Sequence, residues 1–187
     1  MLKFNTQKAL DQITYLQELV KQTRLRAAEG YPYFLLWGTL WVLGYLGSIW
    51  LTYAVWLIIG PIGAIFSIVI GFALKKKRPL PPLLKKLGWL TLVLGIYMGS
   101  IFALLLTVTH NVRIFNSYWP FHIGLLYIAA GIFLGRQMIL IGGWLMLVAF
   151  AGLWLPMPFQ AFWLAAGGGG GLILTGFLFM KHEVENE

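Results

Sequence analysis

The chain contains no cysteine, and between Glu29 and Glu183 it contains no aspartate or glutamate. The first absence excludes disulfides, thiolate metal sites and cysteine nucleophiles. The second removes the paired-carboxylate, zinc His-Glu and Ser-His-Asp constellations from the body of the chain, because each needs at least one acid. It also leaves proton-coupled pumping and cation exchange without the mid-membrane carboxylate on which they rely. Neither a phosphate-binding glycine loop nor a dinucleotide fingerprint occurs, so the chain has no means of its own to couple nucleotide energy. No enzymatic role and no cofactor are expected.

What fills the space is apolar. Of 187 residues, 59% are hydrophobic and 16% aromatic, against roughly 45–50% apolar content in ordinary globular domains. A carboxylate-free stretch of Leu, Ile, Trp, Phe and Gly belongs in hydrocarbon. The formal net charge is +8. Its basic residues gather at the ends of apolar runs, which fits orientation and anionic lipid better than nucleic acid, so no nucleic-acid partner is expected. Residues 1–30 are polar and charged, and no small-residue cleavage site follows the first apolar run, so that run is expected to stay as an anchor.

The expected architecture is all-α: a polytopic membrane helix bundle of six transmembrane helices preceded by a cytoplasmic amphipathic helix. Residues 1–30 hold that amphipathic helix. Over residues 5–28, Ile13, Leu16, Val20 and Thr23 fall on one stripe, with Leu10 and Leu19 widening it, while Lys8, Asp11, Gln12, Glu18, Lys21 and Gln22 take the other face. Two uses stay open for it: packing on the membrane under the bundle, or docking a protein partner. Gly30 and Pro32 end it. The transmembrane domain then covers 31–181, with spans at about 33–53, 55–74, 87–109, 119–134, 138–155 and 159–180, and a short cytoplasmic tail at 182–187. A crossing takes about 20 residues, which makes the fourth span the shortest.

Basic residues in short loops stay cytoplasmic. With the N-terminus inside, that side collects Lys3, Lys8, Lys21, Arg24, Arg26, Lys75, Lys76, Lys77, Arg78, Lys85, Lys86, Arg136 and Lys181, and only Arg113 falls outside. The thirteen-to-one division predicts a multi-pass protein of the cell membrane with both termini cytoplasmic. Lys75, Lys76, Lys77, Arg78, Lys85 and Lys86, divided by Pro79, Pro81 and Pro82, read as a stiff loop able to meet anionic headgroups, at about 1 kcal/mol per basic residue near the surface.

The most unusual local feature is the run Gly167, Gly168, Gly169, Gly170 and Gly171 in the last span. In a helix each glycine costs about 1 kcal/mol relative to alanine, so something must offset the run. One offset is close helix packing, for which Gly95 with Gly99 and Gly131 with Gly135 supply the same small-residue spacing elsewhere. The other is a break whose freed backbone lines a pore or binding segment. Both stay open. Three hairpins also echo one another weakly: Val42-Leu43-Gly44 against Val93-Leu94-Gly95, with Pro61, Pro120 and Pro158 near the starts of the returning helices. Shared membrane composition explains the same echo.

Polar residues near the spans are few: His110, Asn111, Arg113, Asn116, Ser117, His122, Arg136, Gln137 and Gln160. His110 and His122 flank the one external loop of any size and are the only weak metal candidates. Two imidazoles without an acid or thiolate do not make a metal site, and none is assigned.

The junction Arg26-Ala27-Ala28-Glu29-Gly30-Tyr31-Pro32-Tyr33-Phe34-Leu35-Leu36-Trp37-Gly38, together with the basic mid-loop and the glycine-rich last span, resembles a group of uncharacterised six-span membrane proteins of Gram-positive bacteria. The resemblance implies a bacterial cytoplasmic membrane and supplies no activity, ligand or catalytic residue. The function that fits is a non-enzymatic accessory or regulatory subunit acting through protein partners, with residues 5–28 and the glycine faces as contacts and homo-oligomerisation open. The alternative is a small transporter or channel that uses the glycine-rich last span.

Overall fold

A computed structural model of the chain describes residues 8–15, 17–18, 29–51, 54–77, 82–108 and 111–184. Among these residues every regular element is helical and no strand occurs. From Tyr31 onward the helices are α1 Tyr31–Leu51, α2 Ala54–Lys77, α3 Pro82–Val108, α4 Val112–Leu134 and α5 Arg136–Leu153. A closing helix follows, made of α6 Phe159–Trp163, a π-helical stretch Leu164–Gly170, and α7 Gly171–Val184. Four helices are long and apolar enough to cross a membrane: Tyr31–Leu51, Ala54–Leu74, Arg136–Leu153 and Phe159–Lys181. In α3 the apolar part, Leu92–Leu105, is shorter. In α4 the apolar run shares its helix with Arg113, Asn116, Ser117 and His122.

Several boundaries differ from the sequence reading for local reasons. α4 starts at Val112, well before position 119, because Asn111 caps it: its side-chain oxygen accepts from the Arg113 N–H at 3.1 Å. Residues 112–118 are therefore helix and not external loop. Pro120 sits inside α4 instead of opening it. The basic loop is also shorter than expected. Lys75, Lys76 and Lys77 close α2, and Lys85 and Lys86 fall in the opening turns of α3, which begins at Pro82. Lysine is a good helix former, and proline is well suited to the first helical position. Residues 78–81 and the side chains of all six basic residues lie outside the described residues. So does much of the segment expected as an amphipathic helix, including Leu16, Leu19, Val20 and Thr23. Residues 8–15 and 17–18 are helical, with Leu10 and Ile13 exposed.

The bundle has a tightly packed half and a loosely attached half. α4 and α5 form the most extensively packed pair, an antiparallel hairpin joined by Gly135 alone. Gly135 takes φ 111°, a backbone conformation that favours glycine, and its N–H returns to Gly131 O at 2.8 Å. Along this pair Gly124 meets Gly142, where a methyl group added to Gly124 would stand 2.7 Å from Gly142 O. α1 runs antiparallel to the closing helix, Leu35 opposite Gly176 and Gly38 opposite Gly169. Phe34, Trp41, Tyr45, Met138, Leu145, Val148, Leu164, Leu172 and Phe179 form the buried core between these elements. Lipid tails are as apolar as leucine, so helices in a bilayer associate through close van der Waals fit and hydrogen bonds and not through hydrophobic burial. Glycine at the crossings provides that fit.

α2 packs on α1 through Leu40, Val55 and Ile59, with the Trp37 indole donating to Ser67 Oγ at 3.0 Å. α3 has α4 as its one substantial neighbour among the described residues, tied by the Tyr118 hydroxyl donating to Met98 O at 2.5 Å. The three hairpins are thus unequal in packing.

Candidate functional site

Two features stand out where α1, α4, α5 and the closing helix converge: the glycine run and a buried polar joint at the end where α4 and the closing helix begin.

The glycine run is wound, not broken. Leu164–Gly170 is π-helical, and α-helix follows at Gly171. A π-helix pairs each carbonyl with the N–H five residues on, a wide coil that is uncommon and often marks a functional position. Its surroundings are occupied. A methyl group on Gly167 would stand 3.0 Å from Val148 Cγ2, one on Gly168 3.3 Å from Trp41 Cε3, one on Gly169 2.8 Å from Gly38 O, and one on Gly171 2.8 Å from Trp144 Nε1. Gly170 alone in the run has room, the nearest atom being Ala165 O at 3.8 Å. Two indoles clamp this stretch to α5. Trp144 donates to Gly167 O at 2.8 Å, and Trp163 returns a bond to Val148 O at 2.9 Å. Each gives a buried or half-buried carbonyl a partner in a region with little water to supply one.

The polar joint starts from Pro120. Proline has no N–H, so the carbonyl four residues earlier, Asn116 O, loses its helical donor. The Tyr45 hydroxyl on α1 donates to that carbonyl at 3.1 Å. The kink site of one helix thus becomes the anchor point of another. On the same turn, Gln160 of the closing helix reaches across and donates from Nε2 to Arg113 O at 2.8 Å and to Ser117 Oγ at 3.1 Å. Asn116 Nδ2 contacts Met157 Sδ at 3.8 Å, and Ser48 donates to Tyr45 O at 2.7 Å within α1. Ser48, Asn116, Ser117 and Gln160 are the buried polar residues of the described chain, and Tyr45 is fully buried beside them. Gln160 Oε1 has no hydrogen-bond donor.

These positions match the sequence candidates unevenly. Gly167, Gly168, Gly169 and Gly171 come together with α1 and α5, and Gly131 packs on the start of α5, where an added methyl group would stand 2.8 Å from Ile139 N. Gly135 lies in the turn after α4 and not on a helix face. Gly95 and Gly99 meet nothing: no atom lies within 4 Å of the place a Cβ would occupy on either. His122 is engaged locally, with Nδ1 2.8 Å from Tyr118 O and its ring stacked near Tyr118 at a centroid distance of 4.0 Å. A carbonyl only accepts, so Nδ1 carries the proton in that bond. His110 lies outside the described residues, among which no group of three potential metal ligands forms. Composition alone gave no sign of Tyr45, Gly38 or Gly142 as contact residues. The signal for the joint was the isolation of Gln160, a lone carboxamide in the first turn of an apolar helix.

No protein family, curated protein or solved structure matches the chain.

Proposed function

We propose that the chain is a six-crossing protein of a bacterial cytoplasmic membrane, with both termini on the cytoplasmic side, and that it serves without chemistry of its own as an accessory or regulatory subunit of a membrane assembly. The thirteen-to-one division of basic residues supports the orientation. The lengths of α3 and α4, 27 and 23 residues, support two further crossings, since a helix rises about 1.5 Å per residue against a hydrocarbon core of roughly 30 Å. The basic ends of α2 and α3 would then meet anionic headgroups.

The observation that carries the partner reading is α3. Its Gly95 and Gly99 stand open, and Val93, Ile96, Tyr97 and Leu104 around them are exposed. Small residues four apart are the pattern by which membrane helices approach closely, and Gly44, Gly63, Gly131, Gly167 and Gly171, which have that spacing elsewhere, already have neighbours, whereas Gly60 on α2 stands open like the α3 pair. The pore reading draws less support, because neighbouring side chains and backbone fill the space beside four of the five glycines in the run.

Purification from native membranes in mild detergent, followed by mass spectrometry, tests the proposal. A stoichiometric partner is expected, lost from the Gly95→Leu/Gly99→Leu variant, from a variant lacking residues 1–28, or from both, while the bundle stays folded. A protein that purifies alone at native expression, yet catalyses solute flux in vesicles, would overturn the proposal in favour of transport.

A further inference from the structure

We infer that the polar joint holds one water molecule, bound between Gln160 Oε1 and Asn116 Nδ2, and that this end of the bundle is a hydrated three-helix junction. The inference stands independently of the subunit reading. Its basis is the hydrogen-bonding capacity left over when the protein's own bonds are counted. The orientation of the Gln160 carboxamide is decided by Arg113 O: the nitrogen lies 2.8 Å from that carbonyl, which can only accept, so turning the amide over would set oxygen against oxygen there. Oε1 is left as a buried acceptor on a residue that is 0% exposed, with no donor reaching it. A buried carboxamide oxygen without a donor carries its desolvation cost uncompensated.

The neighbouring residue has the complementary surplus. Asn116 Nδ2 presents two hydrogens, and its contact is the Met157 thioether at 3.8 Å, a weak acceptor. Gln160 and Asn116 belong to one cluster, since Gln160 bonds to Ser117 and Met157 lies three residues before Gln160 in the chain. A water molecule can donate to Oε1 and accept from Nδ2, and buried waters are held by two to four such partners. A cation is disfavoured by the amide hydrogens of Asn116, and an anion by the Gln160 oxygen. Asn116 is 2% exposed and Ser117 3%, so the junction is closed to anything large.

A structure of the full chain in lipid nanodiscs, at a resolution that shows ordered solvent, tests this. One peak is expected about 2.7–3.2 Å from both Gln160 Oε1 and Asn116 Nδ2. In a Gln160→Leu variant the peak should vanish while Tyr45 stays on Asn116 O. Absence of any peak in the wild-type map, with the Gln160 bonds to Arg113 and Ser117 intact, would overturn the inference. A density too large for water, or a protein donor on Oε1, would overturn it equally. The wild-type map decides the question even if the variant does not fold.

Discussion

The two halves of this bundle use the same residue in opposite ways. In the packed half, formed by α1, α4, α5 and the closing helix, the glycines at the helix crossings are occupied, Gly38 against Gly169, Gly124 against Gly142 and Gly176 against Leu35, while Gly143 of α5 stands open. On the outlying α3, Gly95 and Gly99 face open space. Both sets consist of the small residue that lets membrane helices approach one another, and on α3 it also recurs at the four-residue spacing. The comparison teaches that a small-residue pattern states a capacity for close approach, while the rest of the fold decides whether the capacity is already used. Polar side chains differ in reach as well, although Tyr118 of α4 does tie to Met98 O of α3 and Ser48 stays within α1. Tyr45, Ser117 and Gln160 cross-link three helices of the packed half, whereas the Ser100 hydroxyl on α3 is satisfied within its own helix, donating to Ile96 O at 2.9 Å.

The comparison can be broken most directly at the crossing of α1 with the closing helix. A Gly169→Val side chain would meet Gly38 O and Val42 N, both backbone and both at 2.8 Å, so relief requires the helices to separate. A loss of about 3 kcal/mol or more is expected, seen as collapse of thermal stability and of a monodisperse profile in detergent. A Gly169→Val protein that melts like the wild type would remove the distinction between the halves. Tyr45→Phe tests the polar half of the argument. It leaves Asn116 O, already without its helical donor because of Pro120, buried and unpartnered, for an expected cost of about 1–3 kcal/mol by thermal unfolding. The smallest effect is expected on α3. Gly95→Ala adds a methyl group to open space and improves helix propensity, so stability should hold or rise by up to about 1 kcal/mol. A clear destabilisation there would mean that α3 has an intramolecular partner after all.

Much of the helical layout was legible because apolar run length and the placement of basic residues act locally, one segment at a time. The starts of α1 and α5 fall within two residues of the expected spans, and the closing helix begins where expected. The start of α4 was misjudged because Pro120 reads as a helix opener, while the true opener, Asn111, which caps through its side-chain oxygen, looks like an ordinary loop residue in sequence. The glycine run was legible as an anomaly but not as an outcome. Five residues without Cβ fit both a tight crossing and a broken helix, and choosing between them requires knowing what stands opposite. Here Val148, Trp41, Gly38 and Trp144 stand opposite.

By itself the sequence determined that this chain is helical and suited to a bilayer, with no carboxylate between Glu29 and Glu183 and no thiol anywhere. Those properties follow from composition and run length, which need no partner. The tertiary structure alone decided which glycines are occupied, that the run winds into a π-helix clamped by two indoles, and that Tyr45, Asn116, Ser117 and Gln160 share one junction. Those are pairings between residues far apart in the chain. In a solvent where burial drives no association, such pairings are settled by shape and hydrogen-bond fit, which no single segment contains.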